Sequence, residues 1–425
     1  MSEMIPVREA EAIVLDAVRS FDADRCGKNG DLETVPLADA DGRILAQPVA
    51  SRLDFPHWDN SAMDGYAVCF ADVAAASEAE PVTLALAGEI PAGRAPDLAL
   101  ERGQAARIFT GAMLPDGADT IVMQENTTPN DHTVSVNVAP PQIGHFVRKQ
   151  GQFCQAGETL LPAGTRIAAA ELAVLASAQC TAVPVFRRPR VAVLSTGREL
   201  VSPEDTLKPG QIVDSNRIAI ASFLTQHGAE VIPFGIIDDD REATAAAISR
   251  AIDAADLVIS TGGVSVGDYD YVEDVLEELG GEIRIRKIAI KPGKPLTFAT
   301  FDRGGNSVAY FGLPGNPVSA LVGCWRFVRS ALLKRSGLAR GWEPQFVRAT
   351  LREGLKAGGG RETYVWGALY YGNGGFEFDR DRGSINSGNA IGLALCNGLA
   401  VVPVGEKAIG AGEVVEVLQM GSPIF

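Results

Sequence analysis

The chain has 425 residues, 46% of them hydrophobic and 21% charged, with a formal net charge of −15. That length fits two to four domains with enough apolar material for packed cores, and the acidic balance excludes a general affinity for nucleic acid or an anionic membrane surface. The opening residues lack a secretory signal's basic-then-apolar order, no apolar run reaches membrane-spanning length, and the Cys and His residues are scattered without metal-ligand or redox spacing, so a cytoplasmic protein without zinc or disulfides is expected.

Apolar residues at helical spacing predict an amphipathic helix over 7–20, followed by a break at 22–31. From about 50 to 145, short β-type runs alternate with Gly, Pro, Asn and Asp turns, and 134–138 has a strand's two-residue period, which predicts a β-rich module. A helix is expected over 168–178. The alternation then changes to strands at 191–194, 229–237, 256–260, 284–290 and 309–312, interleaved with helices at 218–226, 241–252, 272–279 and 318–333. Such alternation predicts an α/β domain with a mainly parallel sheet covered on both faces. Beyond about 340 the texture returns to short strands around Gly and Asn turns, ending at 414–418, which predicts a small terminal β domain.

Ligands of an open α/β sheet collect outside the carboxyl ends of its strands. Here those ends carry Ser195-Thr196-Gly197-Arg198-Glu199, Asp238-Asp239-Asp240, Thr261-Gly262-Gly263-Val264-Ser265-Val266-Gly267-Asp268-Tyr269-Asp270, Lys291-Pro292-Gly293-Lys294-Pro295 and Gly312-Leu313-Pro314-Gly315-Asn316-Pro317. Small loops leading into helix N-termini suit phosphate. Lys287, Lys291 and Lys294 can neutralise phosphate or an oxyanion. Glu199, Asp239 and Asp270 can hold Mg²⁺, which takes one or two carboxylates plus substrate phosphates. Taken singly, Gly262-Gly263 also reads as a tight turn, the aspartate run as a helix cap, and the lysines as solvated surface. Their convergence at one edge favours a phosphate site without naming a substrate.

The strings Ser195-Thr196-Gly197, Ser260-Thr261-Gly262-Gly263-Val264-Ser265-Val266-Gly267 and Gly312-Leu313-Pro314-Gly315-Asn316-Pro317 resemble a molybdopterin-binding domain. Asp59-Asn60-Ser61-Ala62-Met63-Asp64-Gly65-Tyr66-Ala67-Val68, Ile108-Phe109-Thr110-Gly111-Ala112 and Lys291-Pro292-Gly293-Lys294-Pro295 extend the resemblance over nearly the whole chain. The family it resembles is the molybdopterin molybdenumtransferases, similar to the E domain of gephyrin. Without that resemblance, the Asn60–Tyr66 string reads as a turn between strands.

The resemblance implies insertion of molybdenum from molybdate into adenylylated molybdopterin, with Mg²⁺-dependent release of AMP. It implies catalytic and metal-binding roles for Asp270, Asp239 and Glu199. Substrate-binding roles are implied for Thr196, Gly197, Gly262, Gly263, Ser265, Gly267, Lys287, Lys291, Lys294, Pro314, Asn316 and Pro317. Asp64 and Thr110 match positions from the β-rich domain, and Arg361 and Ser384 match molybdate contacts from the terminal domain. Four domains are implied: a discontinuous first domain (1–50 and 145–187), an inserted β-rich domain (51–144), the α/β domain (188–338) and a terminal β domain (339–425). A homodimer with shared active sites is also implied, with contacts to the pathway's adenylyltransferase and to molybdoenzymes, and no nucleic-acid or membrane partner. Phe153 stands where the family usually has an acid, Arg198 replaces a frequent acid after Ser-Thr-Gly, and Asp381-Arg382-Gly383-Ser384-Ile385-Asn386-Ser387 is an unusual version of the terminal-domain loop. Two rivals are a molybdopterin adenylyltransferase and a non-catalytic gephyrin-like scaffold. The large N-terminal half and terminal β domain weigh against the first. The candidate carboxylates, and the lack of resemblance to a scaffold's extra domain and linker, weigh against the second.

Overall fold

The computed structural model of the chain describes residues 4–24, 30–263, 271–303, 306–372, 374–380 and 386–424. It separates into two compact units, one of residues 1–47, 163–172 and 181–425 and the other of 48–162 and 173–180.

The first unit centres on a six-stranded sheet. Its strands in chain order are β1 (Arg190–Thr196), β2 (Glu230–Ile237), β3 (Leu257–Thr261), β4 (Glu282–Lys287), β5 (Pro295–Arg303) and β6 (Asn306–Leu313), arranged in space as β2-β1-β3-β6-β5-β4. β1 runs parallel to β2 and β3, and β3 parallel to β6, whereas β5 is antiparallel to both β6 and β4. The alternation of strand and helix gives the parallel part. Alternate residues enter different cores: Val191 and Val193 join one apolar cluster, and Ala192 and Leu194 the other. That is why the central strands read as unbroken apolar runs.

β5 has no counterpart among the expected strands. It opens on Pro295 directly after a Pro-Gly turn, and proline is admitted in a sheet only at an edge, a bulge or a strand's first residue. The expected strand 284–290 is also corrected: β4 ends at Lys287, and Ile290–Lys291 pairs instead with Glu362 and Thr363 of the terminal domain. The lysine loop therefore ties two parts of this unit together.

Helices fill the crossovers. Ser215–Gln226 begins with the Asp214 carboxylate accepting from Arg217 N–H, and Arg241–Ala254 begins with Asp240 accepting from Ala243 N–H. Each cap contributes about 0.5–2 kcal/mol. The last helical stretch, from Pro317 to Arg335, is α-helical at both ends with a π-turn over Cys324–Val328. The opening helix, Val7–Ala17, buries Val7, Ala10 and Val14 in the larger core cluster. Just before it, Ile5 donates to Lys287 O at 3.1 Å and accepts from Ala289 N–H at 2.8 Å.

The terminal strands Phe346–Leu351, Glu362–Gly372, Gly375–Asp379, Gly398–Val402 and Val414–Gln419 pair in a closed cycle. The expected small β domain is thus a barrel, and closure removes the sheet edges.

The second unit holds a mixed six-stranded sheet that includes Gly65–Val68, Val82–Ile90 and Gln104–Ile108. The Asn60–Tyr66 string is a turn flanked by two strands, Asn60–Ser61 and Gly65–Val68. Gly65 is required there, because a Cβ on it would lie 2.0 Å from Val122 O.

Candidate active site at the carboxyl edge of the sheet

The ends of β1, β3 and β6 enclose a cavity of about 350 Å³, lined by Thr196, Glu199, Gly262, Gly263, Pro314 and Asn316 among others. Its floor depends on glycine. Gly262 has φ +87°, and a Cβ there would lie 2.4 Å from Thr196 O; Gly263 has φ +65°, and its Cβ would meet Val272 at 2.9 Å. Both positions therefore exclude side chains twice over, by conformation and by space. Gly262 N–H donates to Leu313 O at 3.2 Å, which links the β3 loop to the end of β6. Beneath them the buried Thr196 hydroxyl donates to Thr261 O at 3.4 Å, and Thr261 Oγ1 to Ser195 Oγ at 3.1 Å.

Glu199 folds back over Gly197, where a Cβ would lie 2.8 Å from its Oε2. Its carboxylate has no hydrogen bond or ion pair among the described residues, so it lines the cavity uncommitted. Asp239 is half-buried at the end of β2, and its carbonyl accepts from Arg198 Nη2 at 3.2 Å. Arg198 thus contacts the β2 end where an acid would have added negative charge. The capping role foreseen for the aspartate run falls to Asp240 alone, which leaves the Asp239 carboxylate without a hydrogen-bond partner among the described residues.

Lys287, half-buried, and Lys291 and Lys294, both exposed, lie on one loop closed by Ile288 N–H donating to Lys294 O at 3.1 Å. Lys287 stands opposite Pro295, which itself lines the cavity. No lysine Nζ of the three has a partner among the described residues. Arg361 Nη1 donates to Ile290 O at 3.2 Å, so the terminal domain brings a guanidinium onto the lysine loop. Behind it, buried Arg326 donates through Nε to Tyr364 Oη at 2.9 Å and through Nη2 to Glu11 at 2.6 Å, and Tyr364 donates to Glu362 at 2.6 Å.

The Pro314–Pro317 loop is held from two sides. Asn216 Nδ2 donates to Gly315 O at 2.8 Å, and Asn316 Nδ2 donates to Ser387 Oγ at 3.2 Å. Asn216, Leu200 and Ile212 line the cavity and were not singled out in the sequence. Asn216 sits one residue inside a helix start, and only the fold turns that position toward the glycine loop. Asp270, Ser265, Gly267 and Ser384 lie outside the described residues.

In the second unit, Asp64 accepts from Thr110 N–H and from Thr110 Oγ1, both at 2.7 Å. The Thr110 backbone and hydroxyl bonds hold the Asp64 carboxyl below the usual range, with help from the Arg107 charge. The two residues named from separate strings thus form one exposed, hydrogen-bonded pair whose carboxylate is favoured in its charged form.

Among the described residues there is no cluster of three or more His, Cys, Asp or Glu side chains placed to hold a metal, and no helix is long and apolar enough to cross a membrane. The arrangement described is a glycine-floored cavity lined by one uncommitted carboxylate, with Lys287 paired in register to Pro295 of its wall and the Lys291–Lys294 loop leading into that wall. It suits a phosphorylated or otherwise oxyanionic ligand.

Three family models match the chain: the MoeA N-terminal region, domains I and II, over residues 5–178; a probable molybdopterin binding domain over 192–334; and the MoeA C-terminal region, domain IV, over 348–420. A curated relative named molybdopterin molybdenumtransferase, from Nostoc sp., is 51% identical over 98% of this chain and 94% of its own length. Another of that name, from Haemophilus influenzae, is 36% identical over 84% of this chain and 86% of its own. The solved structure of a molybdopterin biosynthesis MoeA protein from Pyrococcus horikoshii superposes with a TM-score of 0.82 at 28% identity, covering 98% of this chain and all of that one.

Proposed function

Because this chain belongs to the molybdopterin molybdenumtransferase family, transferases of molybdenum cofactor biosynthesis, we propose that its glycine-floored cavity takes adenylylated molybdopterin and is where molybdate reacts. In the reaction water cleaves the phosphoanhydride and releases AMP, and the two dithiolene sulfurs bond to molybdenum as one molybdate oxygen leaves as water with the two thiol protons, with no change in oxidation state. The observation that carries this reading is the juxtaposition at one sheet edge of the Gly262–Gly263 floor, the uncommitted Glu199 carboxylate and the strand end Lys287 opposite the cavity-lining Pro295.

Each residue contributes by binding or orienting. Gly262 and Gly263 let the phosphate-bearing chain approach the backbone. Pro314 and Asn316, pinned by Asn216 and Ser387, present a stiff wall to the flat pterin. Lys291, Lys294 and Arg361 supply donors and charge to a tetrahedral dianion, and Lys287 balances phosphate from the β4 side. Ser265, Gly267, Pro317 and Ser384 complete the substrate contacts in this reading.

Mg²⁺ fits the donor set: Glu199 is free to ligate, Asp239 and Asp270 join it in this proposal, and the cation needs only one or two carboxylates when substrate phosphates complete its sphere. Mg²⁺ supplies charge neutralisation on the anhydride oxygens. Glu199 orients that charge, while the lysines hold the leaving phosphate.

The enzyme works in the cytoplasm as a homodimer. Asp64 and Thr110 complete the site of the partner subunit, and the chain contacts the pathway's adenylyltransferase upstream and molybdoenzymes downstream. Support comes from the exposure of the Asp64–Thr110 pair, which leaves its carboxylate open to a partner, with Trp58 and Met63 exposed near it in sequence.

The test is AMP release from adenylylated molybdopterin as Mg²⁺ is titrated, in the wild type and in Glu199→Gln. The variant keeps the shape and loses the charge. Removing an outer-shell partner of a metal costs about 10–100-fold in metal affinity or activity, and a direct ligand costs at least that. An unchanged Mg²⁺ response in Glu199→Gln removes Glu199 from the reaction.

A further inference from the structure

The amino edge of the central sheet, opposite the candidate active site, holds an arginine cluster around a second cavity. Asp256, just before β3, is 6% exposed and accepts four hydrogen bonds. Two come from Arg187, at 2.6 and 2.8 Å, one from Arg335 at 3.0 Å, and one from the Arg190 backbone N–H at 2.8 Å. Arg187 also reaches Asp31 at 3.4 Å. Asp256 and Asp31 are thereby committed, and so are Arg187 and most of Arg335.

The cavity, of about 210 Å³, is lined by Arg187, Arg190, Arg303 and Arg335, with only Asp253 and Asp256 as carboxylates. Asp253 stands 3.5 Å from Arg303 Nε. The Arg190 guanidinium has no ion pair among the described residues, and its Nε, like that of Arg335, is buried without an acceptor. A neighbouring cavity of about 330 Å³ shares Arg187 and Arg190 and adds Arg43 and Arg188; its carboxylates are Glu33, paired to Arg43, and Glu230, which lies opposite Arg190 in the strand register, so five carboxylates (Asp31, Glu33, Glu230, Asp253, Asp256) face six arginines over the two cavities. Cationic groups gathered this densely in a chain of net charge −15 need local compensation, and the described carboxylates do not supply all of it. Buried donors left without acceptors are rare in native proteins and call for a ligand, ion or water.

We propose that the Arg190 cavity binds a free inorganic tetrahedral oxyanion of the sulfate or phosphate class. Planar guanidinium forks match the oxygens of such an anion, and the cavity lies below the roughly 300–1,000 Å³ of pockets that enclose drug-sized ligands. The occupant is therefore an anion without an organic group. It ties the start of β1 at Arg190 to the carboxyl end of β5 through Arg303 and to the end of the Pro317–Arg335 helical stretch through Arg335. Its binding stabilises the folded chain by mass action. This inference stands apart from the proposed catalytic site, whose oxyanion chemistry lies at the other edge of the sheet.

Crystals of the full chain soaked in selenate, an isostere of sulfate, test it directly. The expected result is anomalous density within hydrogen-bonding reach of the Arg190 guanidinium. In solution, sulfate at constant ionic strength raises the thermal midpoint saturably. Lys294→Ala retains that rise, while Arg190→Gln and, independently, Arg303→Gln each weaken it at least tenfold in half-saturating concentration. Selenate density absent from this cavity, or a rise that chloride matches or that both arginine variants retain, overturns the proposal and leaves the donors to water.

Discussion

Asp256 shows how much one side chain can hold together. Burial pushes its carboxyl up, but the Arg187 hydrogen bonds, the Arg335 and Arg187 charges and the Arg190 N–H hold it below the ordinary carboxylate value. A carboxyl held low contributes stability that is fully present above its unfolded-state pKa, about 3.9, and lost as pH falls through the lower folded value. Asp256→Asn leaves the buried Arg335 without its carboxylate and the half-buried Arg187 with Asp31 alone, and breaking a buried pair costs about 3–5 kcal/mol. Urea unfolding at pH 7 is expected to show that loss, with the gap to the wild type closing below about pH 4. Equal stability at pH 7 contradicts it. At the other edge, Lys294→Ala is expected to raise the molybdate concentration for half-activity about tenfold or more while changing pterin binding less, since an ammonium of this loop faces a dianion. Steady-state assays with each ligand varied in turn measure both. Equal losses point to a general phosphate contact instead. The sequence made these lysines and the strand-end acids readable as a phosphate site, because charge and glycine cluster at strand ends. The Asp256 network was not legible, because its members lie between 31 and 335 and meet only once the sheet forms.

Among elements, the parallel strands and their helices could be read from alternation, and the strand Thr133–Val136 overlaps the stretch 134–138 with its two-residue period. β5 was hidden by its leading proline, and Asn216 by the absence of any local signal. The glycine loop after β3 is the element on which the cavity depends. Gly262→Ala places a Cβ 2.4 Å from Thr196 O at a φ of +87°. The expected cost is about 1–3 kcal/mol from overpacking alone, with loss of AMP release as the floor is displaced. Thermal unfolding and the assay together check this, and a stable, fully active variant contradicts the glycine's role. The barrel strand that begins just after Arg361 is anchored through Tyr364 to Arg326 in the π-turn. Such π-bulges recur at functional sites. Tyr364→Phe removes acceptor and donor at once; it is expected to raise the apparent KM for molybdate with a smaller change in kcat, and an unchanged KM separates the anchor from the loop.

For the whole molecule, the proposed two-fold assembly predicts complementation. Asp64→Asn and Glu199→Gln subunits, each inactive as homodimers, are expected to recover up to half the activity when differentially tagged mixed dimers are isolated, since one of the two shared sites is then intact. Mixed dimers without activity rule out sharing. The domain texture of the chain was visible as changes in composition, but pairing between subunits leaves no periodic trace in a single sequence. In the proposed function, AMP release and molybdenum insertion are one coupled reaction at the glycine-floored cavity. A single turnover with purified protein, adenylylated molybdopterin, Mg²⁺ and molybdate decides this, with released AMP and molybdenum retained on the pterin counted in the same sample. Equimolar amounts are expected, both abolished in Gly262→Ala. Molybdate-independent AMP release with no molybdenum retained would separate the two events and overturn the coupled reaction.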